Sequence, residues 1–103
     1  MKMLITTRNK DSFYALPVEK QAQLSEEMVA YIEKYKKSGE CKEIYYTSAL
    51  QGSVAIWEEV GDELMAEHSL ENPMWGYMEI EYQPIYEWDT VNKRIKEYLE
   101  SQA

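Results

Sequence analysis

Residues 72–82 read Asn-Pro-Met-Trp-Gly-Tyr-Met-Glu-Ile-Glu-Tyr, which combines a helix stop, an aromatic loop and an alternating strand. Pro73 cannot continue a helix and favours extended geometry at the residue before it. Apolar and acidic side chains then alternate, as expected for a strand with one buried and one polar face. The first face carries Met78, Ile80 and Tyr82, and the second carries Glu79 and Glu81, about 7 Å apart at their Cα atoms.

The remaining chain predicts three further strands and three helices around this strand. Apolar residues recur at three- and four-residue spacing from Leu24 to Tyr35, which indicates an amphipathic helix of roughly twenty residues. Pro17 suits its first position, and Gly39 suits its C-cap. The other predicted segments are strands at 1–7, 43–49 and 54–59, a loop at 11–16, a turn at 51–53, a short helix from about 61 to 72, and a last helix capped by Asp89 or Thr90.

This order of elements, β-α-β-β-α-β followed by a helix, predicts an α+β fold. It is the ferredoxin-like split motif, in which both crossover helices cover one face of an antiparallel four-stranded sheet. The other face would expose an apolar area large enough to mark an interaction site. We therefore expect a homodimer in which two sheets pack face to face and approximate a barrel, a dimeric α+β barrel.

Composition and charge exclude several classes of partner. The 103 residues are enough for one domain, residues 1–103, and the formal net charge is −8. Such an acidic chain opposes binding to phosphate backbones and to anionic membranes, so neither nucleic acid nor a membrane is expected as a partner. Nine tyrosines and three tryptophans favour surfaces that are partly exposed to solvent, such as pockets and subunit interfaces.

Cysteine usage points to a reducing compartment. Cys41 is the only cysteine, so no intrachain disulfide can form, and no apolar run is long enough for a signal peptide or membrane span. The expected location is cytoplasmic. One cysteine and one histidine cannot complete a four-ligand structural zinc site.

From about Leu16 to Tyr82 the chain resembles muconolactone isomerase and its relatives in the dimeric α+β barrel superfamily. The resemblance is carried by these residues in their relative spacing: Leu16-Pro17, Lys37-Ser38-Gly39, Pro73, Tyr77, Met78, Ile80 and Glu81. It implies the ferredoxin-like fold, a homodimer and a small-molecule site. The chain departs from that family where the isomerases carry basic residues, at Glu43, Tyr46 and Leu50.

Three residues are candidates for proton transfer. His68, the sole histidine, has an unperturbed pKa near neutrality, although a histidine near a helix end is also commonly a surface or capping residue. Glu79 and Glu81 could raise each other's pKa if buried together, but alternating charge is equally what a solvent-facing strand shows. The predicted catalytic residues are therefore His68 and Glu79, with Glu81 in the substrate site.

Other residues are candidates for substrate binding. Arg8, at the end of the first strand, could bind a substrate carboxylate through its planar guanidinium group. Trp75 and Tyr77 lie on the Gly-containing loop, where binding residues tend to concentrate. Tyr46 and Trp57 lie on the central hairpin, where aromatic residues serve either sheet packing or ligand contact.

The leading hypothesis is a small muconolactone isomerase-like enzyme that acts by proton transfer on a small cyclic or aromatic compound. It needs no metal or organic cofactor. A second hypothesis is a cofactor-independent monooxygenase of the same superfamily, in which the substrate supplies the electrons. A third is a non-catalytic module that binds a small molecule or forms oligomers.

Overall fold

The computed structural model describes residues 2–58 and 62–103. Its elements follow the chain in this order: β1 (Lys2–Asn9), α1 (Asp11–Tyr14), α2 (Val18–Ser38), β2 (Cys41–Tyr46), β3 (Gly52–Trp57), α3 (Asp62–Glu71), a 3-10 turn (Trp75–Tyr77), β4 (Met78–Ile85) and α4 (Trp88–Gln102). The predicted α+β class and the antiparallel four-stranded sheet are confirmed.

The strands lie in the order β2-β3-β1-β4, so that β1 and β3 are central. This arrangement is compatible with a ferredoxin-like fold. β4 is an edge strand, which is where a sheet tolerates Pro84 because that residue has no N–H to donate. The register pairs Thr7 of β1 with Ser53 of β3 and with Ile80 of β4.

The two faces of the sheet differ in what covers them. One face, here called the helix face, carries the buried residues Met3 and Ile5 of β1 and Ala55 and Trp57 of β3, with Tyr31 and Ile32 of α2 packed against them. Register places Met78, Ile80 and Tyr82 on this face, which confirms the predicted alternation in β4. The opposite face, here called the open face, carries Leu4, Thr6, Val54, Ile56, Glu79 and Glu81, all half-buried or exposed.

Buried side chains form two clusters under the helices. The first joins the sheet centre to Tyr35 of α2, and the second joins Phe13 and Leu24 to Met74 and Met78. Each buried aliphatic or aromatic side chain contributes roughly 1.5–3 kcal/mol through removal from water. The clusters lie at different ends of α2, so a space remains between that helix and the sheet.

α2 has the predicted length and ending. It runs for 21 residues, and Gly39 at its C-cap has φ 84°, a left-handed conformation that glycine adopts without a Cβ clash. Lys36 and Lys37 lie in the last turn, where the helix dipole favours cations. Pro17 is the N-cap instead of the first helical residue.

Several predicted boundaries are wrong. Residues 11–14 form a short helix because Phe13 is drawn into the second cluster, whereas a loop was predicted. The hairpin strands begin and end two to three residues earlier than predicted, at Cys41–Tyr46 and Gly52–Trp57. Gly52 therefore lies in β3 and not in the turn. Predictions for residues 1 and 59–61, and for the side chains of residues 62–65, lie outside the described part.

α4 departs from the rest of the chain. None of its 15 residues is buried, and the chain extends 63 Å along its longest axis against 27 and 22 Å across. Its N-cap is Glu87, so the predicted caps Asp89 and Thr90 lie inside the helix. Val91, Ile95, Tyr98 and Leu99, which the spacing of apolar residues predicts as the apolar stripe of this helix, are all exposed. Within residues 2–58 and 62–103, no helix is long and apolar enough to cross a membrane.

Candidate functional site

A cavity of about 530 Å³ lies between α2 and the helix face of the sheet. α2 contributes Met28 and Ile32, and the hairpin contributes Ile44, Tyr46 and Ser53. Such a volume is within the range of about 300–1,000 Å³ that is typical of small-molecule sites. We refer to this cavity as the pocket.

The walls of the pocket are mostly apolar. The apolar side chains that line it are Phe13, Met28, Val29, Ile32, Ile44, Leu50, Met74 and Met78. They come from α1, α2, the hairpin, the segment before β4 and the start of β4, so the pocket exists only in the folded chain. An apolar enclosure of this kind favours a ring system or other flat hydrocarbon surface.

Hydroxyl and amide groups form a polar patch in these walls. Thr7 Oγ1 lies 2.7 Å from Ser53 Oγ and accepts a hydrogen bond from the Ser53 backbone N–H at 3.1 Å. Asn9 Nδ2 donates to the Tyr14 hydroxyl at 3.2 Å. All four side chains line the pocket. They offer neutral donors and acceptors to a ligand oxygen.

Charged groups are few at the pocket. Lys36 and Glu33, one helical turn apart on α2, both line it, and their Nζ and Oε1 atoms are 3.9 Å apart. Tyr45 also lines the pocket, and it donates a hydrogen bond at 3.1 Å to Glu43, which is not a lining residue; this bond raises the pKa of the Tyr45 hydroxyl. The charges at the rim are thus balanced, which favours a neutral ligand over a carboxylate.

A second cavity of about 30 Å³ adjoins the pocket, and the two have five lining residues in common: Thr7, Met28, Ile32, Ile44 and Ser53. Its inner wall contains Tyr31, Trp57 and a hydrogen-bonded pair, Ser69 and Tyr82. Burial raises the pKa of the Tyr31 hydroxyl, which stays protonated and donates to the His68 backbone carbonyl at 2.8 Å.

His68 is buried, which excludes a surface position, one of the alternatives to its predicted catalytic role. Its ring lies 4.3 Å from the Tyr35 ring and 5.5 Å from the Trp57 ring, centroid to centroid. Nε2 lies 3.1 Å from Oε2 of Glu40. α3 brings the histidine to this position because its last turns pack against α2, an arrangement that helical periodicity alone does not reveal.

Tyr35 extends this buried cluster to the surface. Its hydroxyl donates to Oε2 of Glu71, which also accepts from Lys34 Nζ at 3.1 Å. Burial, followed by the Glu71 hydrogen bond, raises the pKa of Tyr35. The same hydrogen bonds from Tyr35 and Lys34 lower the pKa of Glu71. The cluster therefore holds a protonated phenol against an ionised carboxylate.

The structure places the site residues predicted from the sequence in several separate parts of the fold. Tyr46 lines the pocket, Trp57 lines the adjoining cavity, and His68 lies behind Trp57. Register places Arg8, Glu79 and Glu81 on the open face, with Arg8 directly opposite Glu79. Trp75 is half-exposed in the 3-10 turn and Tyr77 packs on the second cluster. Of these predicted site residues, Tyr46 alone is among the described residues that line the pocket.

Sequence analysis missed the polar patch formed by Thr7, Ser53, Asn9 and Tyr14. Thr7 and Ser53 come from strands whose pairing is antiparallel and long-range, so their spacing in the chain carries no signal. The usable signal was the face on which Thr7 lies, because Met3, Ile5 and Thr7 alternate into the core.

Cys41 is buried on the helix face. Burial raises the pKa of its thiol, and Lys36 partly opposes this. Among the described residues, no group of three or more histidine, cysteine or acidic side chains is arranged to hold a metal ion.

No protein-family model matches this sequence, and no curated protein matches it. The resemblance to muconolactone isomerases therefore stays a prediction, and the geometry of the pocket is the stronger guide to function.

Proposed function

We propose that this chain binds a small cyclic or aromatic compound in the pocket and acts on it by proton transfer, as a muconolactone isomerase-like enzyme. The observation that carries the proposal is the cavity of about 530 Å³, with apolar walls and one polar patch. The ring of the compound lies between α2 and the sheet, and a ligand oxygen meets the hydroxyls of Thr7 and Ser53.

Proton transfer in this pocket uses groups that line it. Glu33 is the one carboxylate among the described lining residues, and it takes up the proton. Lys36 and the lining tyrosine hydroxyls stabilise the negative charge that develops on the ligand. Glu79 is assigned no role in this chemistry because it lies on the open face. His68 contacts Trp57 and Tyr31, which line the adjoining cavity and not the pocket, and this makes it a positioning residue.

Self-association is part of the same proposal. The open face holds half-buried apolar residues on its two central strands, which a second copy of the chain covers. The assembly is a homodimer of ferredoxin-like domains. The pocket lies on the other side of the sheet and stays accessible.

The experiment combines binding with a direct readout of proton transfer. A panel of neutral cyclic ketones, lactones and phenols is screened by thermal shift and calorimetry, and bound compounds are incubated with the protein in D₂O. Exchange of a ligand C–H for deuterium, detected by NMR, is the expected result. Binding without exchange would reduce the proposal to a non-catalytic binding module.

A matched pair of variants on α2 tests the location. Met28→Trp fills the pocket and is expected to abolish binding, whereas Val18→Trp, at an exposed position on the same helix, is expected to leave binding unchanged. Equal affinity in both variants would place the ligand elsewhere. Glu33→Gln is expected to keep binding and lose exchange.

A second candidate function, a cofactor-independent monooxygenase, is favoured by the balanced charge at the pocket. Lys36 is compensated by Glu33, so a neutral electron-rich aromatic compound fits better than an anionic lactone. Oxygen consumption in the presence of a bound phenol would support this activity. Deuterium exchange without oxygen consumption would support the isomerase.

A further inference from the structure

α4 presents an apolar stripe to solvent. The stripe consists of Trp88, Val91, Ile95, Tyr98 and Leu99, whose exposed fractions range from 36% to 77%. These residues recur at three- and four-residue spacing, so they lie on one side of the helix. We refer to them as the α4 stripe.

The charges of α4 are arranged around this stripe. Arg94 lies three residues after Val91 and four before Tyr98, and Lys96 lies three before Leu99, so the two cations flank the stripe on opposite sides. Lys93, Glu97 and Glu100 occupy the back of the helix, and Asp89, seven residues before Lys96, lies close to the Lys96 edge. The helix thus offers an apolar centre between two basic edges.

Such a helix needs a packing partner. Isolated helices of about 12–15 residues are marginal in water, and α4 has 15 residues, none of them buried. Only Tyr86 and Glu87 separate it from β4, and Glu87 is bonded to Lys2 of β1 with Nζ and Oε1 2.7 Å apart. The helix is therefore directed away from its own sheet by a short, anchored connection.

The open face has the complementary pattern. Its centre is formed by β1 and β3 and carries Leu4, Thr6, Val54 and Ile56. One edge strand, β2, carries Glu43, and the other, β4, carries Glu79 and Glu81. The apolar centre therefore lies between two acidic edges, with two cations at the ends of β1 on the same face: Arg8, opposite Glu79, and Lys2.

We propose that α4 of one copy lies across the open face of a second copy, and that the second copy's α4 lies across the first. The apolar stripe then covers the central strands, while Arg94 and Lys96 meet the acidic edge strands. Direct packing of two open faces would instead bring Glu43, Glu79 and Glu81 of both copies together, and on each face these carboxylates outnumber the cations Arg8 and Lys2. Charge complementarity thus selects the helix over the sheet as the covering element.

The size of the contact suits a stable dimer. Each α4 would bury five apolar side chains, including an indole and a phenol, and reciprocal exchange doubles the contact. The total is roughly 2,000 Å², at the upper end of the range for specific interfaces of standard size. This inference refines how two copies associate, and it does not depend on the chemistry of the pocket.

Charge reversal in the full-length chain tests the contact. R94E/K96E is expected to convert the dimer to a monomer by native mass spectrometry and sedimentation at micromolar concentration, because an acidic helix would meet an acidic face. K93E carries a similar change on the back of the same helix and is expected to leave the dimer intact. Circular dichroism checks that both variants keep their fold.

A mixing experiment then identifies the partner surface. E79K/E81K is also expected to be monomeric alone, but mixed with R94E/K96E it should form a 1:1 heterodimer, in which both contacts are attractive. A dimer of R94E/K96E as strong as that of the wild type would overturn the inference and leave pairing through sheet faces. Two monomeric variants that fail to combine would also overturn it. A wild-type monomer would overturn self-association itself, whereas none of these outcomes affects binding in the pocket.

Discussion

His68 and Glu40 form a pair between α3 and the connection that leads into β2, with Nε2 and Oε2 3.1 Å apart and the side chains 7% and 27% exposed. An ionised carboxylate only accepts hydrogen bonds, so Nε2 of the imidazole carries the proton. Nδ1 is buried and has no hydrogen-bond partner among the described residues. Among the described residues, the contact with Glu40 is therefore the one polar side-chain contact of the imidazole ring.

Removing the Glu40 carboxylate should destabilise the fold. In Glu40→Ala the buried imidazole loses this hydrogen bond, which we expect to lower the free energy of unfolding by about 1–3 kcal/mol. Urea denaturation followed by circular dichroism measures the change. Glu26→Ala, at an exposed position on α2, serves as the control and should have little effect. Equal stability of the two variants would show that the pair contributes nothing.

The acid stability of the protein should depend on Tyr35. Because hydrogen bonds from Tyr35 and Lys34 lower the pKa of Glu71, this carboxyl group stabilises the fold at pH values above its unfolded pKa of about 4.3, and the contribution is lost as pH falls through the lowered pKa. Tyr35→Phe keeps the ring but removes the donor. We expect the pKa of Glu71 to rise toward its ordinary value and acid unfolding to begin at a higher pH.

NMR titration of the Glu71 carboxyl carbon, together with acid unfolding curves, checks this expectation. Lys34→Met is a useful comparison because it removes the second donor, from an exposed lysine. It should shift the pKa of Glu71 in the same direction, since it removes the second hydrogen bond and a nearby positive charge. A pKa that is unchanged in Tyr35→Phe would contradict the described hydrogen bond.

Local sequence patterns were sufficient to predict much of the fold but little of the candidate site. Alternation from Met78 to Tyr82 assigned both faces of β4, and helical periodicity located α2 with its Gly39 cap, because these signals lie within a few residues. The pocket depends on long-range packing instead. Its polar patch joins Thr7 to Ser53, 46 residues apart, and no local spacing encodes that contact.

The error in the predicted bounds of the hairpin strands has a related cause. Gly52 was predicted to lie in the turn because glycine is common there, yet it begins β3 and lies opposite Arg8 of β1. A Cβ at this position would lie 2.0 Å from the Thr7 carbonyl oxygen, so close approach of the strands requires glycine. The reason for this glycine is visible only once β1 and β3 are paired.

Alanine should therefore have opposite effects at two glycines. Gly52→Ala forces the backbone of β3 away from Thr7, and we expect it to lower the free energy of unfolding by about 1–3 kcal/mol. At Gly76 a Cβ meets nothing within 4 Å, and φ lies outside the left-handed region. Gly76→Ala should leave stability unchanged or raise it by about 0.4–1 kcal/mol. The denaturant midpoints of the two variants measure these changes in stability. A destabilised Gly76→Ala would mean that the turn at Trp75–Tyr77 needs glycine.

The thiol of Cys41 should be almost unreactive in the folded protein. It is 3% exposed, burial raises its pKa, and it packs with Tyr35 and Trp57 at the start of an edge strand. Alkylation requires a thiolate that the reagent can reach, so the reaction should proceed only through opening of β2. We expect iodoacetamide at pH 8 to modify the native chain at least roughly 100-fold more slowly than the chain in guanidinium chloride.

Mass spectrometry of timed samples gives both rates for Cys41. Because β2 is an edge strand, its opening costs less than global unfolding, and the native rate should depend weakly on denaturant at low concentration. Ile44→Ala, which removes a half-buried side chain of the same strand, should accelerate modification more than Tyr45→Ala, whose side chain is 61% exposed. A native rate equal to that in guanidinium chloride would show that β2 is not held against α2, and the pocket between them would then lack its outer wall.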